Sequence, residues 1–186
     1  LKKEKIVFLL IGQRGSGKSH YGRRLVEACP EIKAISRDEI IIRRFGSIHN
    51  DPYTGAVYYA YEIMDRLLRR KLTTQTEVKL LLDCWTGDSR ERKSLLKKLR
   101  QYGANHVVAL YFITPLEVVE TWFWQKSGIA KIGEIRNRQG EGLSFFPEDA
   151  PRHDHELFHR LASKIDSDGF DKVIRIDPLK RLIELT

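Results

Sequence analysis

The sequence predicts an α/β fold, a parallel five-stranded sheet with helices on both faces, and three observations predict it. Short apolar, β-branched runs alternate with segments of helical periodicity along the chain, which is the pattern of a parallel sheet covered on both sides. The first apolar run leads into a glycine-rich octapeptide and then into a helix-forming segment. The length of 186 residues, with 41% hydrophobic and 31% charged residues, suits one core of ordinary globular composition. No repeat, low-complexity tract or second domain interrupts it, so 1–186 reads as a single domain.

The elements follow in order. Strands are predicted at Lys5–Ile11, 33–36, Val78–Asp83, His106–Phe112 and Lys172–Ile176, each a short run rich in Val, Ile and Leu or bounded by turn residues. A helix over 17–28 ends before Pro30, and one over 38–45 stops at Gly46. The segment 53–71 carries Val57, Ala60, Met64, Leu67 and Leu68 at helical spacing. The segment 88–102 places Leu95, Leu96 and Leu99 on one face, with Asp88 as N-cap and Gly103 as the stop. Helices over Leu116–Gln125 and 152–164 complete the alternation, and a short one over 179–185 follows Pro178.

The octapeptide is Gly12-Gln13-Arg14-Gly15-Ser16-Gly17-Lys18-Ser19, which fits G-x-x-x-x-G-K-[ST], the phosphate-binding P-loop, in the required strand–loop–helix context. Glycines let the backbone curl so that successive N–H groups point inward around an anion, and the helix beginning there adds its positive end. The candidate nucleotide contacts are Gly12, Arg14, Gly15, Ser16, Gly17, Lys18, Ser19 and His20. Lys18 is positioned by the motif to reach the β- and γ-phosphates of ATP and Ser19 to ligate Mg²⁺.

Two carboxylates fall at predicted strand ends, the edge where ligands sit in open α/β sheets. Asp83 closes an apolar strand in the Walker-B manner and is the second candidate ligand for Mg²⁺, with Ser19. Asp38, after the second strand, has two readings: a base that accepts the proton of an attacking hydroxyl, or an N-cap, a task Ser36 could share.

Composition narrows the rest. The net charge of +8 favours polyanionic partners, nucleotides and nucleic acids among them. Cys29 and Cys84 have neither metal nor disulfide spacing, the start Leu1–Lys5 carries no secretory pattern, and no apolar run is long enough to span a bilayer. These features lead to the expectation of a cytoplasmic protein without a membrane segment.

The stretches Ile11 to Ser19, Ser36-Arg37-Asp38-Glu39, Leu82-Asp83 and Asp88-Ser89-Arg90-Glu91-Arg92 resemble the kinase domain of phage-type polynucleotide 5′-kinase and its bacterial relatives, within the set of P-loop kinases that includes zeta-toxin-like enzymes. The resemblance implies a nucleoside-kinase-like P-loop NTPase fold with strand order 2-3-1-4-5 and a mobile lid. It implies that ATP is the donor, that Lys18 and Asp38 are catalytic, and that Asp38 is the general base. The acceptor it implies is a nucleic-acid 5′-hydroxyl; the same donor machinery serves small-molecule kinases, and an ATP-driven switch without an acceptor is a third class. The chain departs from the family twice. Ile41 stands where the family has an Arg one turn after its base, and Thr121-Trp122-Phe123-Trp124-Gln125 is aromatic where the lid begins with Arg.

The stretch 126–151 breaks the alternation with several glycines and prolines among cations. It is the candidate lid, with Lys126, Lys131, Arg136 and Arg138 as candidate phosphate contacts; the alternative is a surface loop without function. Trp85 is placed either to stack on an acceptor ring or to anchor its loop. Trp122, Phe123 and Trp124 read as packing under the lid. His153, Asp154, His155, Glu156 and His159 read as a polar helix face, with a zinc site as the alternative. The cations Arg66, Arg69, Arg70 and Lys71 complement a helix C-terminus, and Lys93, Lys97, Lys98 and Arg100 form a solvated face.

Overall fold

The computed structural model describes residues 4–48, 55–126, 128–133 and 144–180. Its elements run β1 (Lys5–Ile11), α1 (Lys18–Ala28), β2 (Ile32–Ser36), α2 (Arg37–Phe45), α3 (Ala56–Thr74), β3 (Val78–Asp83), α4 (Ser89–Gln101), β4 (His106–Phe112), α5 (Leu116–Gln125), β5 (Ile129–Lys131), β6 (Ser144–Phe146), α6 (Ala150–Ala162) and β7 (Lys172–Ile176). Five strands form one parallel sheet in the order β2-β3-β1-β4-β7. Counting core strands alone, this is the order 2-3-1-4-5; β5 and β6 are a separate pair inserted before the last core strand.

Burial explains the spelling of the strands. β1 has neighbours on both sides and helices on both faces, so its residues from Val7 to Ile11 are all buried and its sequence is a continuous apolar run. Val7, Leu9 and Ile11 face a core built with Met64, Leu68 and Leu72 of α3, Leu96 and Leu99 of α4, and Phe158 of α6. Phe8 and Leu10 face the other core, with Tyr21 and Leu25 of α1. Edge strand β2 has Lys33 and Ala34 exposed and keeps only Ile32 and Ile35 buried. Gly22 lets α1 lie close on the sheet, because a Cβ there would sit 3.0 Å from Leu10 Cδ1 and 3.2 Å from Leu81 Cδ2.

The helix ends differ from the sequence expectations by small, explicable amounts. Ser36 is the N-cap of α2, its side chain accepting from Glu39 N, so α2 begins at Arg37. Asp88 caps α4 as expected, accepting from the amides of Arg90 and Glu91. α3 runs past Lys71 to Thr74, where Thr73 and Thr74 hydroxyls donate back to helix carbonyls; its expected start at 53 lies outside the described residues. α6 starts at Ala150, ahead of the expected 152, because Pro151 opens the helix instead of closing the preceding loop. Leu179 and Lys180, the start of the expected helix at 179–185, form a turn on Asp177, and the remainder lies outside the described residues.

The expected irregular segment 126–151 contains the parallel pair β5–β6, with Ile129 opposite Ser144 and Lys131 opposite Phe146. Among the described residues no helix is long and apolar enough to cross a membrane.

Candidate active site

The octapeptide wraps as a compact turn between β1 and α1. The Gln13 carbonyl is its hub, accepting from Ser16 N at 3.3 Å, Ser16 Oγ at 2.8 Å and Lys18 Nζ at 2.9 Å. Thr114 Oγ1, after β4, donates to Ser16 O at 2.8 Å and fixes the loop from beneath. Gly15 and Gly17 have φ of +76° and +84°, which L-residues with a Cβ adopt at a cost. Space excludes side chains as well: a Cβ at Gly12 would lie 2.6 Å from Ser16 Oγ, and one at Gly17 would lie 2.8 Å from Trp122 Cζ3 and 3.4 Å from Pro178 Cβ. Gly17 caps α1 without any side-chain hydrogen bond, so the first amides of α1 are left open around the concavity. His20 is exposed on the first turn of α1.

Four of the candidate side chains, Lys18, Ser19, Asp38 and Asp83, gather beside this loop. Ser19 Oγ donates to Asp83 Oδ2 at 2.8 Å, joining the end of α1 nearest the loop to the end of β3. Lys18 folds across the loop toward Gln13 O and lies within electrostatic reach of both Asp83 and Asp38. Burial lowers the Lys18 pKa from the usual lysine range; Asp83 opposes the shift, and the charge of Lys126 reinforces it. Asp38 Oδ1 accepts from Arg37 Nε at 2.9 Å and Nη2 at 2.6 Å. Because Ser36 takes the capping task, the Asp38 carboxylate is not consumed by the backbone of α2. Burial works against the Arg37 charge, but Asp38 and the Tyr61 side chain more than offset it, and the Arg37 pKa is raised.

Helix α6 and strand β6 reach the P-loop through Arg14. Arg14 forms a forked pair with Asp154 of α6, at 2.9 Å and 3.3 Å, and its guanidinium lies 4.7 Å from the Phe146 ring centroid of β6. Asp154, read as part of a polar helix face, is therefore a P-loop partner. In the same cluster His155 and His159 rings lie 4.3 Å apart, and among the described residues no group of three or more His, Cys, Asp or Glu side chains is arranged to hold a metal. Phe123 is fully buried against Trp124 and Phe146, whereas Trp122 lies over Gly17. Of the candidate lid cations, Lys131 pairs with Glu148 at 2.7 Å and sits over Trp124, and Lys126 is exposed. Arg136 and Arg138 lie outside the described residues.

The loop after β3 is held by a buried cation. Arg92, fully buried, donates from Nε to Asp168 Oδ2 at 2.5 Å, from Nη1 to the carbonyls of Thr86 and Gly87, and from Nη2 to Leu161 O. Ser89 Oγ also donates to Asp168. Thr86 Oγ1 donates to Leu10 O at 3.3 Å, tying the same loop to β1. The sequence signal was present but unread: Arg92, Leu96 and Leu99 fall at i, i+4 and i+7, on the buried face of α4.

No curated protein matches the sequence. Solved structures share the architecture. Shikimate kinase from Acinetobacter baumannii, in complex with shikimate, aligns over 95% of this chain and 86% of its own at 16% identity, with a TM-score of 0.52. A fungal RNA kinase aligns over 99% and 78% at 17% identity and a TM-score of 0.52. The PezAT toxin–antitoxin structure of Streptococcus pneumoniae aligns over 98% and 71% at 15% identity and a TM-score of 0.64. These likenesses, at such identities, establish an α/β P-loop kinase-like fold. The model of one protein family, described as an AAA domain, matches residues 7–142, and with that span the chain belongs to the AAA domain family.

Proposed function

We propose that the protein is an ATP-dependent kinase that moves the γ-phosphoryl group to an alcohol, with 1–186 acting as one unit and 126–151 as its lid. The observation that carries this reading is the convergence at one sheet edge of a P-loop lysine, a serine–aspartate pair and an uncapped carboxylate, with Lys18 within reach of both Asp83 and Asp38.

The residues fit the nucleotide and its metal. The glycine cradle has no room for a Cβ at Gly12 or Gly17, as close approach of phosphates to backbone requires. Ser19 and Asp83 offer hard oxygen ligands side by side, the donor type Mg²⁺ prefers, and would hold it. Bound there, magnesium would offset charge on the β- and γ-phosphate oxygens. Lys18, already short of solvation, gains from an approaching polyanion and is displaced from Gln13 O toward the γ-phosphate. Asp38 orients the acceptor hydroxyl and takes its proton as the new P–O bond forms and the bond to the β-phosphate oxygen breaks, while Arg37 keeps that carboxylate in place. The Phe146 contact with Arg14 brings the lid segment onto the loop, the Arg14–Asp154 pair ties α6 to the same side chain, and closure there keeps water from the γ-phosphate.

The acceptor is an alcohol, and the resemblance to polynucleotide 5′-kinases together with the charge of +8 supports a nucleic-acid 5′-hydroxyl. The test is labelled γ-phosphate transfer to a panel of hydroxyl acceptors with wild type and Asp38→Asn. The variant is expected to bind ATP normally and to lose transfer by about 10²–10⁴-fold. Full transfer by Asp38→Asn would remove the base assignment, and ATP turnover with no acceptor transfer would favour a nucleotide switch.

A further inference from the structure

A cavity of about 480 Å³ opens between α3 and α4 at the end of β3. Tyr61 of α3 and Trp85, two residues beyond Asp83, line it. It adjoins the proposed catalytic edge through hydrogen bonds: the Tyr61 side chain bonds Arg37, and Arg37 bonds Asp38. Both aromatics are partly solvent-exposed, Tyr61 at 37% and Trp85 at 40%, unusual for large rings flanking a core strand.

The Trp85 ring is not a loose surface side chain. It lies so close to Gly87 that a Cβ there would be 2.5 Å from Trp85 Cζ2 and 2.8 Å from Cη2. Gly87 itself is buried, with a carbonyl gripped by Arg92, and neighbouring Thr86 is tied to β1. A buried guanidinium thus fixes the Gly87 backbone against which the indole packs, while the ring, 40% exposed, lines the cavity. The charged lining is balanced, with Arg90 and Lys98 against Asp65 and Glu91, and Lys98 pairs with Asp65 at 3.0 Å. In a chain of net charge +8, that balance gives a phosphate chain no net attraction inside the cavity, whereas an uncharged ring loses nothing.

We propose that Trp85 is the acceptor-specificity residue of the kinase reading above: the alcohol is carried on an uncharged ring that stacks on the indole held by Gly87, with the hydroxyl presented to Asp38. Two sources share this chemistry, the terminal nucleoside of a 5′-hydroxyl oligonucleotide and a neutral sugar. The inference rests on the proposed kinase activity, so the experiment separates the two.

Transfer from ATP is measured to adenosine, a 5′-hydroxyl dinucleotide, glucose, glycerol and ribitol, using wild type, Trp85→Ala, Trp85→Phe and Gly87→Ala, with thermal melting as a check on folding. The ring-bearing alcohols are expected to outperform glycerol and ribitol. For the best acceptor, Trp85→Ala is expected to raise KM by about 5- to 150-fold, the range that removal of a stacking aromatic gives. ATP affinity should stay the same, Trp85→Phe should recover most of the loss, and Gly87→Ala should mimic Trp85→Ala by lifting the ring. Preference among adenosine, dinucleotide and glucose identifies the source. Equal transfer to the open-chain polyols, or an unchanged KM in Trp85→Ala, overturns the stacking proposal and leaves the kinase intact. ATP binding with no transfer to any alcohol overturns both.

Discussion

Two loops leave the same edge of the sheet and are built on opposite principles. The P-loop after β1 is held mainly by its own residues, with Thr114 beneath it: one carbonyl, Gln13 O, gathers the Ser16 amide, the Ser16 hydroxyl and the Lys18 ammonium, all within five positions. The loop after β3 is held from a distance, by Arg92 and by Asp168, which lies 76 positions farther along the chain. The first loop keeps its amides open and its interior free of side chains. The second puts its carbonyls on a buried guanidinium and turns a ring outward. On the proposed function, a site for one invariant group, a polyphosphate, is specified locally, whereas the wall proposed to face the acceptor is shaped by the packing of α3, α4 and α6.

The sharpest way to break the comparison is at its long-range member. Arg92→Leu removes the buried guanidinium from Asp168, leaving it Ser89 Oγ and the half-exposed Lys93 ammonium at 4.0 Å, and frees the Thr86 and Gly87 carbonyls; a loss of about 3–5 kcal/mol is expected in denaturant unfolding. The double variant Arg92→Leu/Asp168→Leu should regain part of it, since the uncompensated charge is then gone. At the local member, Gly17→Ala forces a Cβ into a φ of +84° and against Trp122, with an expected cost of about 1–2 kcal/mol. Isothermal titration with ATP should show that this substitution weakens nucleotide binding, whereas Arg92→Leu acts first on unfolding.

The smallest effect lies in pH. Burial, with Asp83 adding to it, pushes the Cys84 thiol up from 9.0 to about 12. A raised folded-state pKa contributes stability that is complete below pH 9 and is lost as pH rises from 9 toward 12, because only the unfolded chain ionises readily in that window. Comparing wild type with Cys84→Ala should show an extra loss of about 1 kcal/mol in wild type on going from pH 8 to 10. The same burial predicts slow alkylation of Cys84 beside faster reaction at the more accessible Cys29.

The difference between the loops also decides what could be read from the sequence. Lys5–Ile11, Val78–Asp83 and His106–Phe112 match the predicted strands residue for residue, since strands buried on both faces are spelled as apolar runs with clear ends, and the edge strand Lys172–Ile176 matches through its Val173, Ile174 and Ile176. Ser19 and Asp83 meet because a motif and a strand end fix both positions. Arg14 and Asp154 meet only because α6 folds back beside the P-loop, and no local pattern encodes that return. Arg92 was hidden by its type: a charged residue within a lysine- and arginine-rich helix reads as surface unless its register with Leu96 and Leu99 is followed. The pair β5–β6 was hidden by length, since three-residue strands among glycines carry too few alternations to register as a period.

Arg92 has a further consequence during synthesis. The P-loop is closed once the nascent chain has passed β4 and Thr114, whose hydroxyl holds Ser16 O. The loop after β3 waits for Asp168, about 54 residues after Thr114, which is about 3–11 s of elongation at 5–20 residues per second. For that interval a ribosome-bound chain carries a closed P-loop and an unbraced β3–α4 loop. On the kinase reading proposed above, the part that would hold the nucleotide is therefore finished before the part that would face the acceptor.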